Sequence, residues 1–307
     1  MRILITGGSG LLAVNWAICR RGKDKIWLGL HQRVVRIPGT NSVVTDFDSS
    51  INTEQLIRDI SPDLVIHTAG VTNVEKCELK KKLAWRVNRD YAAMVAKVTY
   101  ANNTKLIHIS TDHLFDGKTP FLTEDDIPNP VNVYGASKHA AEMEVTSENP
   151  DALILRMNFF GWGPSYRHSF SDWILASLWQ AQKIILYDNV IFSPLYVTEI
   201  VDAAHKLLAS GAVGIYNLSS TEAISKYDFG LKLADRFGLD KDLIKRETYN
   251  KNHSVPRPLI MSLDNKKFVS RCRIGAFHID RSIALLRADQ SRKELLRNIE
   301  VAGNISH

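Results

Sequence analysis

The segment that decides the fold class is Arg2-Ile-Leu-Ile-Thr6, which runs directly into Gly7-Gly8-Ser9-Gly10-Leu11-Leu12-Ala13. The first five residues predict a short buried strand, and the apolar run that continues to Ile18 predicts a helix. A strand, a glycine-rich turn and a helix start in this order form the fingerprint of a dinucleotide-binding site. An ordinary glycine turn is the simpler alternative, but the order of the elements at the N-terminus favours cofactor binding.

The glycine turn has the residues that a phosphate site needs. Gly7 allows a tight turn, and Gly10 allows the backbone to approach a pyrophosphate. At the start of the helix, Leu11 and Leu12 would offer free N–H groups and the positive end of the helix dipole. Ala13 is small enough for close packing of the helix on the strand.

The composition of the 307 residues is typical of a soluble enzyme with one large or two modest domains. A hydrophobic content of 45% is sufficient for a substantial core, and no run approaches the roughly 18–20 apolar residues of a membrane span. The net charge is +6, and residues 265–297 hold nine Lys or Arg against three acids. No aromatic residues alternate regularly with these cations, so we expect a solvated face or attraction for an anionic substrate, not nucleic-acid binding.

The three cysteines are few and scattered. Cys19, Cys77 and Cys272 have no metal-binding spacing and form an odd set. They predict a reducing compartment, here the cytoplasm, with no disulfide framework and no metal site.

Strand-like runs alternate with helical patterns along the first half of the chain, and the longest helical pattern covers Leu83–Tyr100. This alternation predicts an α/β fold with a Rossmann-type, doubly wound parallel sheet. The runs that predict strands after the first are 26–30, 42–45, 63–68, 105–110 and 152–157.

After Met157 the pattern becomes less regular. Val197–Leu208 predicts a helix and Gly214–Leu218 a strand, and both are expected to rejoin the first domain. We therefore predict a dinucleotide-binding domain over residues 1–157, rejoined by about 190–220, and a smaller C-terminal domain over most of 158–307 that binds the substrate.

The end of the second predicted strand bears on the choice of cofactor. Ligands bind at the carboxyl ends of the strands in such a sheet, and an NAD site usually carries Asp or Glu at this point. The segment Gly29-Leu-His-Gln-Arg33 has no acid. Arg33, helped by His31, could pair with a 2′-phosphate, which favours NADP(H) over NAD(H). An exposed loop arginine is the alternative.

Further residues that could bind the cofactor follow the third and fourth predicted strands. Asp46 and Phe47 follow the third strand and are expected to meet the adenine. The fourth strand is followed by small residues that allow the backbone to pass close to the cofactor: Thr68, Ala69, Gly70 and Thr72.

Tyr134 and Lys138 lie four residues apart, which places both side chains on one face of a helix. A phenol has an unperturbed pKa near 10, and a neighbouring ammonium favours the phenolate and lowers that pKa. Such a pair can give a proton to a carbonyl oxygen as hydride arrives on carbon. The spacing alone is a weak signal.

The chain resembles an extended short-chain dehydrogenase/reductase, and more closely the dTDP-4-dehydrorhamnose reductase family of nucleotide-sugar reductases. The most specific part is Ser-Thr-Asp-x-x-Phe-Asp-Gly at 110–117 followed by Asn-x-Tyr-Gly-x-x-Lys at 132–138. The resemblance runs from Met1 to about Phe268. Further matching segments are 63–72, 106–117, 123–138, 155–158, 193–199, 257–258 and 262–266.

The resemblance implies roles for the residues around this motif. Thr111 would hydrogen-bond the reacting carbonyl, Tyr134 would be the acid/base, and Lys138 would bind the nicotinamide ribose and depress the pKa of Tyr134. Ser110 and Asp112 would support the site beside the nicotinamide. The alternative for Ser110, Thr111 and Asp112 is a purely local role in capping a strand or bracing a turn.

The residues expected near the substrate are less regular. Arg257 is predicted to contact the nucleotide phosphates, and Asn88 matches a family asparagine near the active site or is simply a buried polar residue. His113 stands where relatives usually have Tyr, and residues 159–163 replace a Trp-Val-Tyr-like run. Both departures lie close to the expected substrate pocket, so the sequence does not identify the sugar. The full set of predicted substrate-binding residues is Thr72, Asp112, His113, Asn158, Phe159 and Arg257.

The implied activity is NAD(P)H-dependent reduction of a 4-keto nucleotide-diphospho-sugar, with a homodimer as the family expectation. An epimerase or dehydratase on the same scaffold is one alternative, but His113 follows Asp112 where a dehydratase usually has an Asp-Glu pair. A regulatory subunit that binds NADP and a partner enzyme is another. Because the chain keeps Tyr134 and Lys138, the sequence gives no reason to call it inactive, and His113 favours reduction over the first alternative.

Overall fold

A seven-stranded parallel sheet forms the centre of the molecule, and the computed structural model describes residues 1–44, 49–250 and 255–304. The elements of the first half are β1 (Arg2–Thr6), α1 (Leu11–Arg20), β2 (Lys25–Leu30), β3 (Arg33–Arg36), β4 (Asn41–Val44), α2 (Ser50–Ile60), β5 (Leu64–His67), α3 (Val74–Leu79), α4 (Lys81–Trp85), a π-helical turn (Arg86–Asp90), α5 (Tyr91–Ala101), β6 (Lys105–Ile109), α6 (Val133–Glu148) and β7 (Leu153–Met157).

The second half adds shorter strands and further helices. They are β8 (Phe159–Phe160), α7 (Phe170–Trp179), β9 (Ile184–Tyr187), β10 (Ile191–Phe192), β11 (Leu195–Tyr196), α8 (Val197–Ala209), β12 (Gly214–Leu218), β13 (Ile224–Ser225), α9 (Lys226–Phe237), a 3₁₀ turn (Lys241–Leu243), β14 (Ile244–Glu247), α10 (Lys266–Cys272), α11 (Ile279–Ala288), α12 (Gln290–Arg297) and β15 (Glu300–Asn304).

The strand order of the main sheet is β12-β7-β6-β5-β1-β2-β4, and each neighbouring pair is parallel. The order reverses at β1, as expected for a doubly wound sheet with its ligand crevice at the carboxyl ends of the strands. The predicted Rossmann-type fold is confirmed. The strand predicted at Gly214–Leu218 has these bounds and joins the edge of this sheet as β12.

Apolar residues of the central strands alternate between two covered faces. Ile3 and Ile5 lie in the core that includes α1 and α8, whereas Leu4 lies in the core that includes α2, α5 and α6. Continuous apolar strands form because both faces of a parallel sheet are buried under helices. No helix in the described ranges is long and apolar enough to cross a membrane.

Two predicted elements differ in the structure. The long helix expected over Leu83–Tyr100 is interrupted by the π-helical turn at Arg86–Asp90. The strand expected at 42–45 is β4, Asn41–Val44, and Thr45 lies outside the described residues.

The basic segment near the C-terminus packs back onto the fold. Arg297 donates to Asp172 at 3.1 Å, and the ammonium of Lys293 lies 3.9 Å from the centre of the Trp179 ring. β15 then pairs antiparallel with β3, so that Asn304 lies opposite Arg33. Several cations of this segment therefore make contacts within the chain.

Candidate active site

The glycine turn has the geometry that the sequence predicts. Gly7 has a φ of +70°, and a Cβ on this residue would lie 2.8 Å from the backbone of Ala69. Gly10 precedes α1 and supplies no side-chain cap, and the first turn of α1 contains no acid. The first N–H groups of α1 are therefore available to an anion, and the turn fits a pyrophosphate.

A cavity of about 930 Å³ runs from the glycine turn to the start of α6. Asp46 and Phe47, which were also predicted to bind the cofactor, lie outside the described residues. The predicted site residues that line this cavity are Gly7, Gly10, Leu11, Leu12, His31, Arg33, Thr68, Ala69, Gly70, Thr72, Ser110, Thr111, Asp112, His113, Tyr134, Lys138, Asn158, Phe159 and Arg257.

Arg33 lies at the end of the cavity near the glycine turn. It begins β3, and its guanidinium carbon lies 4.5 Å above the centre of the Tyr166 ring. The hydroxyl of Tyr166 in turn donates to the backbone oxygen of Ser9 at 3.1 Å. Stacking on Tyr166 leaves the edge of the guanidinium available for hydrogen bonds to an anion.

Tyr134 lies in the first turn of α6, at the other end of the cavity. The side chain of Asn132 caps this helix by accepting from the N–H of Gly135 at 2.9 Å. Burial raises the pKa of Tyr134 to about 12, while the nearby Thr111 hydroxyl acts in the opposite direction. The phenol is therefore protonated at neutral pH, and the lowering of this pKa expected from Lys138 is not found.

Lys138 is held one turn further along α6. Its Nζ donates to the backbone oxygen of Ile109 at 2.6 Å and lies 3.2 Å from Nε2 of His108. Burial lowers the pKa of Lys138 to about 8, and the carboxylate of Glu142 opposes this shift. The ammonium is thus hydrogen-bonded at the strand ends, in the same cavity that Tyr134 lines.

Thr111, Asp112 and Asn158 form a hydrogen-bonded group at the ends of β6 and β7. The hydroxyl of Thr111 lies 3.3 Å from Oδ1 of Asp112, and Nδ2 of Asn158 donates to Oδ2 of Asp112 at 2.7 Å. The ring of His113 meets that of Tyr134 edge-on, with centroids 5.6 Å apart. Burial lowers the pKa of His113, so this imidazole is neutral.

Ser110 is hydrogen-bonded to a buried ion pair. Its hydroxyl donates to Oε1 of Glu142 at 2.5 Å, and Nη2 of Arg156 donates to Oε2 of the same carboxylate at 2.8 Å. The side chains of Glu142 and Arg156 are each 3% exposed. The pair links α6 to β7 directly behind the strand end that carries Ser110, Thr111 and Asp112.

Asn88 lies beside the cavity but does not line it. It accepts from the N–H of Val71 at 2.7 Å and donates to Oγ of Ser137 at 2.9 Å. A Cβ on Gly70 would approach Oδ1 of Asn88 to 3.2 Å. Asn88 therefore connects the loop after β5 to α6 by hydrogen bonds. Such a structural role is the alternative that the sequence left open for this residue.

The aromatic residues of segment 159–163 divide between the cavity wall and the core. Phe159 lines the cavity, whereas Phe160 and Trp162 are fully buried in the main core. Arg257 reaches the cavity rim and pairs with Glu75, an exposed contact that an anionic ligand can replace.

Three cations that line the cavity were missed by sequence reasoning: Lys76, Arg86 and Arg167. Arg167 donates to the hydroxyl of Thr72 at 3.0 Å and thereby connects the loop before α7 to the loop after β5. Arg86 lies two residues before Asn88, which was the available signal for it. Lys76 and Arg167 carry no pattern that distinguishes them from other surface cations.

The fold and the site define a Rossmann-type protein with a glycine turn and a Tyr-x-x-x-Lys pair in one cavity. Residues 1–286 match the family model described as the RmlD substrate binding domain. The chain belongs to this family, and the predicted family resemblance is confirmed.

Individual relatives include proteins of different kinds. The chain is 32% identical over 252 residues to the probable low-salt glycan biosynthesis reductase Agl14 of Haloferax volcanii, covering 80% of this chain and 83% of the relative. It is 28% identical over 284 residues to methionine adenosyltransferase 2 subunit beta of Xenopus laevis, covering 87% and 81% of the two chains.

A similar solved structure is dTDP-4-dehydrorhamnose reductase from Bacillus anthracis in complex with NADP. The TM-score is 0.80 at 22% identity, and the match covers 94% of this chain and 99% of that one. At this identity the likeness concerns the fold.

Proposed function

We propose that the protein is an NADP(H)-dependent reductase of a 4-keto nucleotide-diphospho-sugar. The observation that carries the proposal is the convergence of Thr111, Tyr134 and Lys138 in the cavity that begins at the uncapped N-terminus of α1. The reductase relatives add support. The proposal assigns the cofactor to residues 1–157 with about 190–220, and the sugar nucleotide mainly to 158–307.

The cofactor, when bound, supplies hydride to the sugar carbonyl. On the protein side, Tyr134 donates its phenolic proton to the carbonyl oxygen, and Thr111 donates a hydrogen bond to the same oxygen as negative charge develops there. Lys138 would bind the nicotinamide ribose and place its charge near the forming alkoxide. Asp112, held by Asn158, positions the sugar, and the cavity walls limit access of water.

The direct test is turnover by the purified protein. We expect loss of reduced-nicotinamide absorbance when NADPH is mixed with one member of a panel of 4-keto sugar nucleotides. An epimerase or dehydratase would convert the sugar with no net change in that absorbance.

A related protein is named as a subunit of methionine adenosyltransferase. Cofactor binding without turnover, together with stable binding to a second enzyme, would therefore favour a subunit role.

Arg33→Ser is expected to weaken NADPH binding by about 10- to 100-fold and to leave NADH binding unchanged, because a charged hydrogen bond to the 2′-phosphate is lost. Titration calorimetry with each cofactor measures both affinities. Arg36→Ser is the matched control, since Arg36 lies on the same strand and is 68% exposed but does not line the cavity. Equal loss of NADPH and NADH affinity in Arg33→Ser would contradict the assignment of the 2′-phosphate.

The rate of reduction is expected to fall as the pH rises through about 8. Burial holds the pKa of Lys138 at about 8, below its usual value of 10.5, so the ammonium is present below this pH and is lost above it. The measurement is the pH dependence of kcat/KM from about pH 6 to about pH 10, which brackets this pKa. A rate that stays constant beyond pH 9 (about one unit above this pKa) would show that the charge of Lys138 is not required.

Homodimer formation and a cytoplasmic location complete the proposal. The family resemblance implies the dimer. The cytoplasmic location rests on the few, scattered cysteines of the sequence.

A further inference from the structure

A row of polar side chains crosses three central strands beneath the cavity. Thr6, His67 and His108 are register partners on β1, β5 and β6, and each belongs to the last two residues of its strand. Parallel strands in register place such partners side by side on the same face of the sheet. The positions two residues earlier on this face are Leu4, Val65 and Leu106, all apolar, so the polar row begins only at the cavity end.

The members of the row contact one another and end at Lys138. Oγ1 of Thr6 lies 2.8 Å from Nδ1 of His67, and the rings of His67 and His108 stack with centroids 5.4 Å apart and planes 17° apart. Nε2 of His108 then lies 3.2 Å from Nζ of Lys138. The residues His67 and His108 are 2% and 0% exposed.

The contact with Lys138 fixes the state of the His108 ring. An ammonium has donors only, so Nε2 of His108 accepts and the proton of the neutral ring is on Nδ1. Burial lowers the pKa of His108 well below its usual value, and Lys138 and His67 act in the same direction. Burial and Lys138 lower the pKa of His67 to about 3. Both rings are therefore neutral over the range in which an enzyme of this class would work.

Structural stability gives no reason for these two histidines. Nδ1 of His108 and Nε2 of His67 are buried and have no hydrogen-bond partner among the described residues. A buried polar atom without a partner is unfavourable, and the row lies directly above an apolar layer.

We propose that His108 is a positioning residue, whose neutral imidazole accepts a hydrogen bond from Lys138 and holds the ammonium where it would bind the nicotinamide ribose. This inference rests on the proposed function and adds a residue to its site. His108 acts through Lys138, because it does not line the cavity itself. Within the described residues, this ammonium has two acceptors, Nε2 of His108 and the backbone oxygen of Ile109.

The titration of Lys138 is the property that His108 should control. The titratable groups that interact with this ammonium are Glu142 on its own helix and His108 and His67 on the strands. Tyr134 on α6 and Tyr91 on α5 line the same cavity. Loss of the acceptor at His108 removes a hydrogen bond that is stronger with the ammonium than with the neutral amine, so the charged form should be lost at a lower pH.

The experiment follows the side-chain carbon resonances of Lys138 by NMR in ¹³C-lysine-labelled protein, with the resonance assigned from its absence in Lys138→Arg. We expect His108→Met to lower the midpoint by about one pH unit, the effect of losing one hydrogen bond to a charged group. His108→Gln, whose amide oxygen can accept, should titrate near the wild-type midpoint. If His108→Met does not fold, His108→Asn, which is polar but too short to reach, replaces it with the same expectation.

His67→Phe is the matched control, because it changes an equally buried histidine, retains an aromatic ring and leaves both hydrogen bonds of Nζ of Lys138 in place. We expect it to leave the midpoint unchanged. An unchanged midpoint in His108→Met, or an equal shift in His67→Phe, would overturn the proposal. The titration needs neither cofactor nor sugar nucleotide, so its result is separate from failure of the proposed function. In an active enzyme, the alkaline limb of kcat/KM should move with the midpoint.

Discussion

Tyr134→Phe is expected to lower kcat by about 10²- to 10⁴-fold, the usual contribution of a positioned general acid. The substitution removes one hydroxyl and keeps the ring that packs against His113. Cofactor affinity should therefore remain close to that of the wild type. Stopped-flow measurement of NADPH oxidation at saturating substrate, combined with calorimetric titration of NADPH, measures both quantities.

Tyr216→Phe provides the control for this experiment. Tyr216 is also buried, at 7% exposure, but it lies on the edge strand β12 and does not line the cavity. It should retain wild-type kcat. Near-normal turnover in Tyr134→Phe would exclude this phenol as the proton donor, and a similar loss in Tyr216→Phe would attribute the effect to packing.

The high pKa of Tyr134 is consistent with a role as proton donor in the reduction reaction. A proton donor must carry its proton when the carbonyl arrives, and burial raises the pKa of this phenol to about 12. Charge that develops on the substrate oxygen then favours transfer of the proton to it. The sequence alone suggested the opposite direction of shift, because spacing along a helix reports that Lys138 is near but not that its Nζ donates to Ile109 and approaches His108.

Much of the fold could be predicted because the strands of the main sheet are short apolar runs with helices between them. Burial on both faces produces such runs, and their order along the chain then determines which edge carries the site. β3 and β15 were not predicted. They are four and five residues long and lie towards opposite ends of the chain. Among the described strands they pair with each other and with no third strand, so neither has a local pattern that reveals its partner.

Residues of the candidate site could be predicted where they directly follow a strand or belong to a motif. Thr68 and Thr111 were found in this way, and both line the cavity. Arg167 was not found, because it reaches the cavity from a loop more than 90 residues beyond Thr72, its hydrogen-bond partner. The interruption of the long helix at the π-helical turn, which holds Asn88, also has no signal in the apolar periodicity.

Arg156→Met is expected to lower the free energy of unfolding by about 3–5 kcal/mol, because it leaves the carboxylate of Glu142 buried without its cation. Both side chains are 3% exposed, so water cannot replace the guanidinium. Urea unfolding followed by circular dichroism measures the change. Cofactor binding should weaken as well, since Glu142 also accepts from Ser110 at the cavity wall.

The double variant Glu142→Gln/Arg156→Met separates the cost of a buried charge from the cost of lost packing. A neutral amide can still accept from Ser110, so the double variant should recover at least half of the stability that Arg156→Met loses. Arg58→Met, which breaks the exposed pair with Glu54 on α2, is the control and should leave the unfolding curve almost unchanged. If the double variant were as unstable as the single one, packing of the Arg156 side chain against Phe115 and its neighbours, and not its charge, would be the source of the loss.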